Sequence, residues 1–369
     1  MRIQFYPLPI DEIRDETPDA YTVFFQNPDP EVFSYLPGQY LTIKLNINGE
    51  EIRRCFSLSS CPDVDERLAI TIKRVKGGRS SNYIRDYLKA GDIVEVLPPM
   101  GNFTLRPYYD QPRNHIMIGA GSGITPLMSM IKSVLKHEPE SKITLWYGNR
   151  DESSIIFKNQ LIKLNQQYPE RLHLHFTLSR PEKNWKGFTG RLDKEKIYDL
   201  LSELFMTDEY RKYYYICGPG GLIEAAEAAM DKHAVNPSDV HKEYYSAPAP
   251  SDSVIQKANK ALSSNGQDLS GEGKKTEFST QEVILRIDGK TYEVVVEPGK
   301  TILDAAVKAK INPPYSCQSG ICTSCRAFLH SGSVAMDETA GLSKEELEEG
   351  YILTCQAHPL TEDVEIEYR

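Results

Sequence analysis

Apolar residues are spaced differently in different parts of the chain. Up to about residue 108 the apolar runs are short and strand-like, as in YTVFFQ, QYLTIKLNI, LAITIKRV and DIVEVLPP. Turn residues such as LPGQ and KGG separate these runs. Several short strands bounded by turns are typical of antiparallel sheets that close on themselves. We therefore predict an antiparallel β-barrel over residues 1–108.

The pattern changes at about residue 109, where strand-like and helix-like segments alternate. HIMIGAG, KITLWYGNR, LHLHFTLSR, KYYYICGPGG and HKEYYS have the composition of buried strands. Between them, PLMSMIKSVLK, IIFKNQLIKLNQQY, KEKIYDLLSELF and LIEAAEAAMDKH have helical periodicity. Strand–helix alternation favours an α/β doubly wound parallel sheet, which we predict over residues 109–247.

Residues 248–280 are polar and rich in Ser, Gly and Lys, which predicts a flexible linker with a short helix at VIQKANKAL. A third domain follows over residues 281–369. Its segment VILRIDGKTYEVVVEPG has a hairpin pattern, and TILDAAVKAK predicts a helix that begins at Thr301.

Charge is distributed unevenly along the chain. The net charge of −9 disfavours nucleic acid as a partner. Residues 281–369 carry 15 Asp/Glu against 8 Lys/Arg. This acidity is consistent either with docking to a basic partner or with a solvated surface. No apolar run reaches about 18 residues, so we expect a cytoplasmic protein without a membrane partner.

Four of the seven cysteines have the spacing of an iron–sulfur site. Cys317, Cys322 and Cys325 lie in SCQSGICTSCR, and Cys355 follows in ILTCQAHP. The C-x4-C-x2-C…C spacing is that of plant-type [2Fe–2S] ligands. Zinc ribbons usually pair two C-x2-C motifs, and this segment has one. We predict a metal site at these four residues and expect His358 on the surface.

The segment from residue 281 to the C-terminus resembles plant-type ferredoxins over its whole length. That resemblance implies a β-grasp fold around a [2Fe–2S] cluster, which carries one electron at a time. Cys55 and Cys61 receive no role.

The barrel sequence RRCFSLSS resembles the Arg-x-Tyr-Ser motif of the ferredoxin–NADP reductase family. The resemblance implies that Arg54 pairs with a flavin phosphate, that Phe56 packs on the flavin ring in place of tyrosine, and that Ser57 lies at its reactive N5 side. KGGRSSNYIRD is similar to the family's second phosphate loop. This loop favours FAD over FMN, and its candidate binding residues are Gly77, Gly78, Ser80, Ser81 and Asn82.

The turn IGAGSGITP follows a predicted strand and opens a predicted helix. Ile124 breaks the G-x-G-x-x-G fingerprint, but the turn resembles the G-x-G-x-x-x-x-P variant of the reductase family. Glycine-rich strand-to-helix turns place N–H donors against a pyrophosphate. Pro126 suits the first helical turn, and Thr125 is expected to cap the helix. The candidate binding residues are Gly119, Gly121, Gly123, Thr125 and Pro126.

ICGPGG resembles the Cys-Gly-Pro motif that lies at the nicotinamide in this family. The resemblance makes Cys217, Gly218 and Pro219 candidate binding residues, although a lone buried Cys is more often simply apolar. Glu243, in HKEYYS, matches the Glu-x-aromatic end of the reductase module. Together with Ser57 and Cys217 it forms the candidate catalytic set.

LSR ends a predicted strand, and a Ser-Arg pair here grips the 2′-phosphate in NADPH-using relatives. Arginine suits phosphate because its donors form a fork. Ser179 and Arg180, with Arg150 in YGNR, therefore favour NADPH over NADH.

The three modules fit one chemistry, because a flavin can accept a hydride and release electrons singly. RRCFS, GGRSSN, YGNR and LSR resemble the reductases that serve phenylacetyl-CoA epoxidases. The resemblance implies an NAD(P)H-dependent reductase, with FAD and a [2Fe–2S] cluster, that passes electrons to an oxygenase or hydroxylase component. Two alternatives stay open: an NADH-dependent reductase of an aromatic-ring dioxygenase or ketosteroid hydroxylase, and a redox-sensing flavoprotein.

Overall fold

The computed structural model describes residues 4–26, 28–207, 210–246 and 280–368. Their contacts define two compact units, of which one is Phe5–Ser246 and the other contains the C-terminal residues. The predicted linker and its short helix lie outside the described residues, apart from residue 280. None of the helices in the described ranges is long and apolar enough to cross a membrane.

The first part of unit Phe5–Ser246 is an antiparallel barrel, as the sequence predicts. Its strands are β1 (Tyr6–Thr17), β2 (Ala20–Phe25), β3 (Tyr40–Ile47), β4 (Glu50–Ser57), β5 (Ala69–Lys73) and β6 (Ile93–Val96), with helix α1 (Arg79–Tyr87) between β5 and β6. The strand order is β4-β3-β6-β1-β2-β5. A bridge between Leu58 and Ile70 joins the two ends of this order and closes the barrel around an aliphatic core.

Two elements of the barrel were not predicted. Strand β1 contains Pro7, Pro9 and many charged residues, yet it pairs with both β2 and β6. One of its ladder partners, β6, comes from a distant part of the chain, so the periodicity of β1 itself is a poor guide. Helix α1 begins directly after the glycines of the predicted phosphate loop and buries Ile84.

The second part of this unit is a six-stranded parallel sheet with helices between its strands. It comprises β7 (Arg113–Ala120), α2 (Ile124–His137), β8 (Lys142–Asn149), α3 (Lys158–Gln167), β9 (Leu172–Leu178), β10 (Phe188–Thr189), α4 (Lys194–Thr207), β11 (Arg211–Pro219), α5 (Gly220–Lys232) and β12 (Val240–Ser246). The order β10-β9-β8-β7-β11-β12 confirms the doubly wound sheet. Because the carboxyl ends of parallel strands meet at one edge, the loops after β7, β8, β9 and β11 lie along that edge.

In its described residues, the C-terminal unit contains a five-stranded sheet, a two-stranded sheet and two helices. It comprises β13 (Gln281–Ile287), β14 (Lys290–Val296), α6 (Ile302–Lys308), β15 (Arg326–Ser331), β16 (Val334–Met336), α7 (Lys344–Glu348), β17 (Tyr351–Leu353), β18 (Ala357–Pro359) and β19 (Val364–Glu367). The five-stranded order β14-β13-β19-β15-β17 includes the predicted hairpin, and the two-stranded sheet is formed by β16 and β18. Thr301 caps α6 in a capping box with Asp304, as its position in the sequence predicts.

Candidate functional site

The three predicted catalytic residues meet where the barrel faces the parallel sheet. Ser57 ends β4, and Cys217 and Glu243 are paired neighbours in β11 and β12. The Ser57 hydroxyl donates to Glu243 Oε2 over 3.2 Å, and the Cys217 thiol lies 3.9 Å from the same oxygen. Tyr245 completes the group, because its hydroxyl donates to Ser57 Oγ over 2.7 Å. We call Ser57, Cys217, Glu243 and Tyr245 the Glu243 network.

Burial keeps the Glu243 network neutral near pH 7. Glu243 retains some accessible surface as a residue, but its carboxyl group is enclosed by protein atoms. Desolvation raises the pKa of this carboxyl to about 8, although hydrogen bonds from Ser57 and Cys217 act in the opposite direction. Burial, and then the nearby Glu243, raises the pKa of the Cys217 thiol. The network therefore presents uncharged groups that can hold or pass a proton.

Tyr245 received no role from the sequence. It is the aromatic residue of the Glu-x-aromatic pattern, so the signal was present. Its contact with Ser57, however, spans 188 positions and depends on the barrel and the sheet packing together.

The glycine turn after β7 packs tightly against Cys217. A Cβ at Gly123 would lie 2.0 Å from the Cys217 carbonyl oxygen, and one at Gly119 would lie 2.9 Å from a Leu127 methyl carbon. Gly121 has a left-handed φ of 56°. These contacts explain why glycine occupies the turn, whose end leads into the first turn of α2.

One expectation about this turn is wrong. Gly123, and not Thr125, is the N-cap of α2. Thr125 lies inside the first turn, and its hydroxyl donates to the Ser122 carbonyl over 2.8 Å. Pro126 does lie in the first helical turn, as expected.

Lys73 is a cation at the glycine turn that the sequence did not single out. It ends β5, and its Nζ lies 3.6 Å from the position of a Cβ on Gly121. Asp19 Oδ2 lies 3.7 Å from this ammonium and accepts from Arg150 Nη2 over 2.7 Å. The signal was Lys73 in TIKRVKGG, a few residues before the glycines of the phosphate loop.

The predicted nucleotide-selective residues lie together at the ends of β8 and β9. The Ser179 N–H donates to the Asn149 carbonyl over 3.0 Å, and the Arg180 N–H to the Arg150 carbonyl over 2.7 Å. Arg180 is exposed, and no described carboxylate pairs with its guanidinium. Arg150, in contrast, is held by Asp19. Arg180 is therefore the more available cation of the two.

The predicted phosphate loop has the geometry of an anion site, but only some of its polar side chains are available to a ligand. Gly77 takes a left-handed φ of 74°, and Gly78 is the N-cap of α1 without a side-chain cap. The Ser80 hydroxyl is buried and finds no partner among the described residues. The first-turn N–H groups of α1 and this hydroxyl are suitable phosphate donors.

The side chains of Ser81 and Asn82 hydrogen-bond to the backbone of the loop itself. Ser81 Oγ accepts from the Val75 N–H over 3.2 Å, and Asn82 Nδ2 donates to the Val75 and Gly78 carbonyls over 3.0 and 2.7 Å. Their side chains hold the loop closed. In the neighbouring strand, Arg54 donates to the Arg53 carbonyl over 2.6 Å, and Phe56 packs against the barrel core.

The four predicted ligand cysteines are buried in the C-terminal unit. Three lie in the loop before β15, and Cys355 lies between β17 and β18. Their thiols form two hydrogen-bonded pairs, Cys317 with Cys322 and Cys325 with Cys355. Two thiol pairs suit two irons, so the donor set fits a [2Fe–2S] cluster.

Backbone donors approach the sulfurs of this cysteine site. The Ser319 N–H lies 3.4 Å from Cys317 Sγ. The hydrogen bond between Cys325 and Cys355 lowers the pKa of Cys355, and the Gly320 N–H adds to this lowering. The same hydrogen bond, together with burial, raises the pKa of Cys325. Such N–H donors would stabilise thiolate, which is the form of cysteine that binds a metal.

The expectation for His358 is wrong, because this residue is buried. Its Nδ1 lies 2.9 Å from the Lys300 carbonyl, and its Nε2 lies 2.9 Å from Asp337 Oδ2. Strand β18 carries it into the unit beside β16, where it joins the start of α6 to the chain after β16.

Three models of known protein families match three separate segments of the chain. Residues 7–105 match the oxidoreductase FAD-binding domain, residues 117–228 the oxidoreductase NAD-binding domain, and residues 285–360 the 2Fe-2S iron-sulfur cluster binding domain. The flavin and cluster assignments therefore rest on both the sequence families and the geometry described above.

Similar proteins span nearly the whole chain. The chain is 34% identical to a component of the 1,2-phenylacetyl-CoA epoxidase of Escherichia coli (strain K12), over 99% of this chain and 98% of that protein. It is 31% identical to the ferredoxin reductase component of 3-ketosteroid-9-alpha-monooxygenase of Rhodococcus rhodochrous, over 98% and 96% of the two chains.

A solved structure has the same fold. Phthalate dioxygenase reductase superposes with a TM-score of 0.58 at 23% identity, over 99% of this chain and 98% of the other. The chain is thus an oxidoreductase, and it belongs to the ferredoxin reductase family whose members join an FAD-binding, an NAD-binding and a 2Fe-2S cluster-binding domain in one polypeptide.

Proposed function

We propose that this protein oxidises NADPH in the cytoplasm and delivers single electrons to an oxygenase component of the phenylacetyl-CoA epoxidase type. The observation that carries the proposal is the Glu243 network, which joins barrel and sheet side chains beside the glycine turn. A second unit of the same chain holds the four-cysteine site. The presence of both sites in one chain suits a protein that accepts two electrons together and releases them one at a time.

Bound flavin supplies the conversion between two-electron and one-electron chemistry, and a [2Fe–2S] cluster carries single electrons. The chain's own residues bind and orient these groups. The first turn of α1, Ser80 and Arg54 are suited to the flavin phosphates, and Phe56 to its ring. Ser57 is suited to hydrogen-bond the reactive side of the flavin, because the Tyr245 hydroxyl and the Glu243 carboxyl fix its own hydroxyl from two sides.

The nucleotide is proposed to bind along the carboxyl edge of the parallel sheet. Gly119, Gly121 and Gly123 allow its pyrophosphate to approach the backbone, and Lys73 adds a positive charge there. Gly218 and Pro219, after Cys217, border the Glu243 network. The buried Cys217 and the enclosed carboxyl of Glu243 would limit the access of water to the nicotinamide end of this site.

Selectivity for NADPH is assigned to Arg180, supported by Ser179 and Arg150. We expect Arg180→Ala to lower the ratio of kcat/KM for NADPH to that for NADH by about 10- to 100-fold, because a charged hydrogen bond is worth about 1.5–3 kcal/mol. Arg106→Ala, at another exposed arginine, is the control and should keep the parent ratio. An unchanged ratio in Arg180→Ala would contradict the assignment.

Reconstitution with an oxygenase component tests the proposed electron acceptor. Purified protein is mixed with the oxygenase component of a phenylacetyl-CoA epoxidase or of a 3-ketosteroid hydroxylase, and organic product is measured per NADPH oxidised. We expect tighter coupling with the epoxidase component. Preferential coupling to the steroid component would favour the alternative that the 31% identical relative supports. Reduction of cytochrome c at high turnover would argue against a redox sensor.

A further inference from the structure

Gln356 follows the last cluster ligand and is held firmly by its backbone. Its N–H donates to the Leu353 carbonyl over 2.9 Å, and its own carbonyl accepts from the Asp337 N–H over 3.1 Å. The side chain is half-buried and therefore packs against neighbouring residues. None of the roles assigned above to the chain's residues uses it.

The amide nitrogen of Gln356 is directed at the cysteine site. Nε2 lies 2.9 Å from the Cys355 carbonyl, 3.3 Å from the Gln318 carbonyl and 3.6 Å from Cys355 Sγ. The last distance is within the range of a hydrogen bond to sulfur, which is longer than one to oxygen. One side-chain amide thus contacts a ligand sulfur and the loop that carries the other three ligands.

The loop that Gln356 contacts has an unusual backbone. Gln318 has a φ of 55°, which is uncommon for a residue with a Cβ, and Gly320 has a φ of 69°. A Cβ at Gly320 would lie 2.6 Å from Glu338 and 3.0 Å from Gln356 Cγ. The loop therefore packs directly on the Gln356 side chain, which fixes where the amide points.

We propose that Gln356 is a positioning residue that raises the reduction potential of the cluster by donating its side-chain amide to the Cys355 sulfur. A reduced cluster carries one more negative charge than an oxidised one, so a donor to a ligand sulfur stabilises the reduced form more. The inference rests on the cluster assignment and is independent of the nucleotide and of the electron acceptor.

The test is a redox titration of the cluster in the full-length, cluster-loaded protein, followed by low-temperature EPR. Gln356→Leu removes the donor and keeps similar volume, and Gln356→Glu keeps the shape but adds a negative charge. We expect the ratio of reduced to oxidised cluster at a fixed solution potential to fall about tenfold in Gln356→Leu, equivalent to ~59 mV for one electron. Gln356→Glu should show a larger fall.

Ser331→Ala is the control within the same unit. Its hydroxyl donates to the Asp363 carbonyl and contacts neither the ligands nor their loop. This variant should titrate with the parent protein. Iron and sulfide content establishes loading, and Gln356→Glu decides the question if Gln356→Leu loses the cluster.

Parent potentials in the loaded Gln356 variants would overturn the proposal. An equal shift in Ser331→Ala would also overturn it, because that result would assign the effect to general disturbance of the unit.

Discussion

The Glu243 network and the cysteine site differ in how far apart in the chain their residues lie. Ser57 and Glu243 are 186 positions apart and belong to different sheets. Three of the four cysteines, in contrast, lie within the single loop of residues 317–325. The first site depends on two packed substructures, and the second on one loop and the turn between β17 and β18 that carries Cys355.

The two sites therefore differ in the kind of change that would disrupt them. Cysteine ligands act through bonds to iron, so each ligand is needed whatever surrounds it. The Glu243 network acts through burial and orientation, so it responds to packing changes several residues away. Variants that damage one site should therefore leave the other intact.

Removing a cysteine ligand should have the largest effect. We expect Cys322→Ser to lose the cluster and to lower electron delivery to cytochrome c by at least about 100-fold, since even outer-shell changes cost 10- to 100-fold. Reduction of the flavin by NADPH, measured by stopped flow, should keep its parent rate. A matching loss of flavin reduction would mean that the two sites are not separable.

Crowding the glycine turn should damage the opposite site. In Gly123→Ala the new Cβ would meet the Cys217 carbonyl at 2.0 Å, and we expect unfolding of the Phe5–Ser246 unit to become easier by about 1–3 kcal/mol. Flavin reduction should slow, while the EPR signal of the chemically reduced cluster should not change.

Gly221→Ala is the control for this variant. Its Cβ would meet nothing within 4 Å, and it lies in helix α5, where alanine is favoured over glycine. Denaturant unfolding should show equal or higher stability. Similar destabilisation in both variants would contradict the packing argument.

Removing the central hydroxyl of the Glu243 network tests orientation without crowding. We expect Ser57→Ala to slow flavin reduction about tenfold, because one buried hydrogen bond contributes roughly 1–1.5 kcal/mol. Ser59→Ala removes another buried serine hydroxyl, which donates to the Ala69 carbonyl away from the network. It should lower stability without a comparable loss of rate. Equal rates in parent and Ser57→Ala would remove Ser57 from the mechanism.

Burial of the Glu243 carboxyl also predicts a pH dependence of stability. The pKa of Glu243 in the folded protein, about 8, lies above the ordinary value of 4.5. The folded state therefore holds this proton more tightly, and its stabilising contribution is complete below about pH 4.5 and is lost as pH rises through 8. Glu243→Gln cannot ionise, so the parent should lose stability relative to this variant between pH 5 and 8.5. Denaturant unfolding followed by circular dichroism measures this, and parallel curves would contradict the pKa shift.

Features encoded over short distances were predictable from the sequence. The cysteine spacing, the β13–β14 hairpin and the Thr301 cap each depend on a short segment, and the structure agrees with the hairpin and the cap. The strand–helix alternation of residues 109–247 was equally clear, although α3 begins later than its apolar pattern suggests. Phe157 adopts a left-handed φ of 59° directly before this helix, which prevents an earlier start.

Features that depend on distant partners were not predictable. Strand β1 is polar and contains prolines, and one of its two partners, β6, lies far along the chain. His358 is polar and follows a turn, yet its pairing with Asp337 and the Lys300 carbonyl lets it be buried. The roles of Lys73 and Tyr245 became visible only when the glycine turn and Ser57 were placed beside them.

The central claim is that two-electron oxidation of the nucleotide feeds a one-electron cluster within one chain. Anaerobic titration of the reconstituted full-length protein with NADPH, followed by visible absorption and low-temperature EPR, tests it most directly. The account predicts bleaching of the flavin together with a reduced [2Fe–2S] signal. A reconstituted protein with neither flavin absorption nor a cluster signal would contradict it.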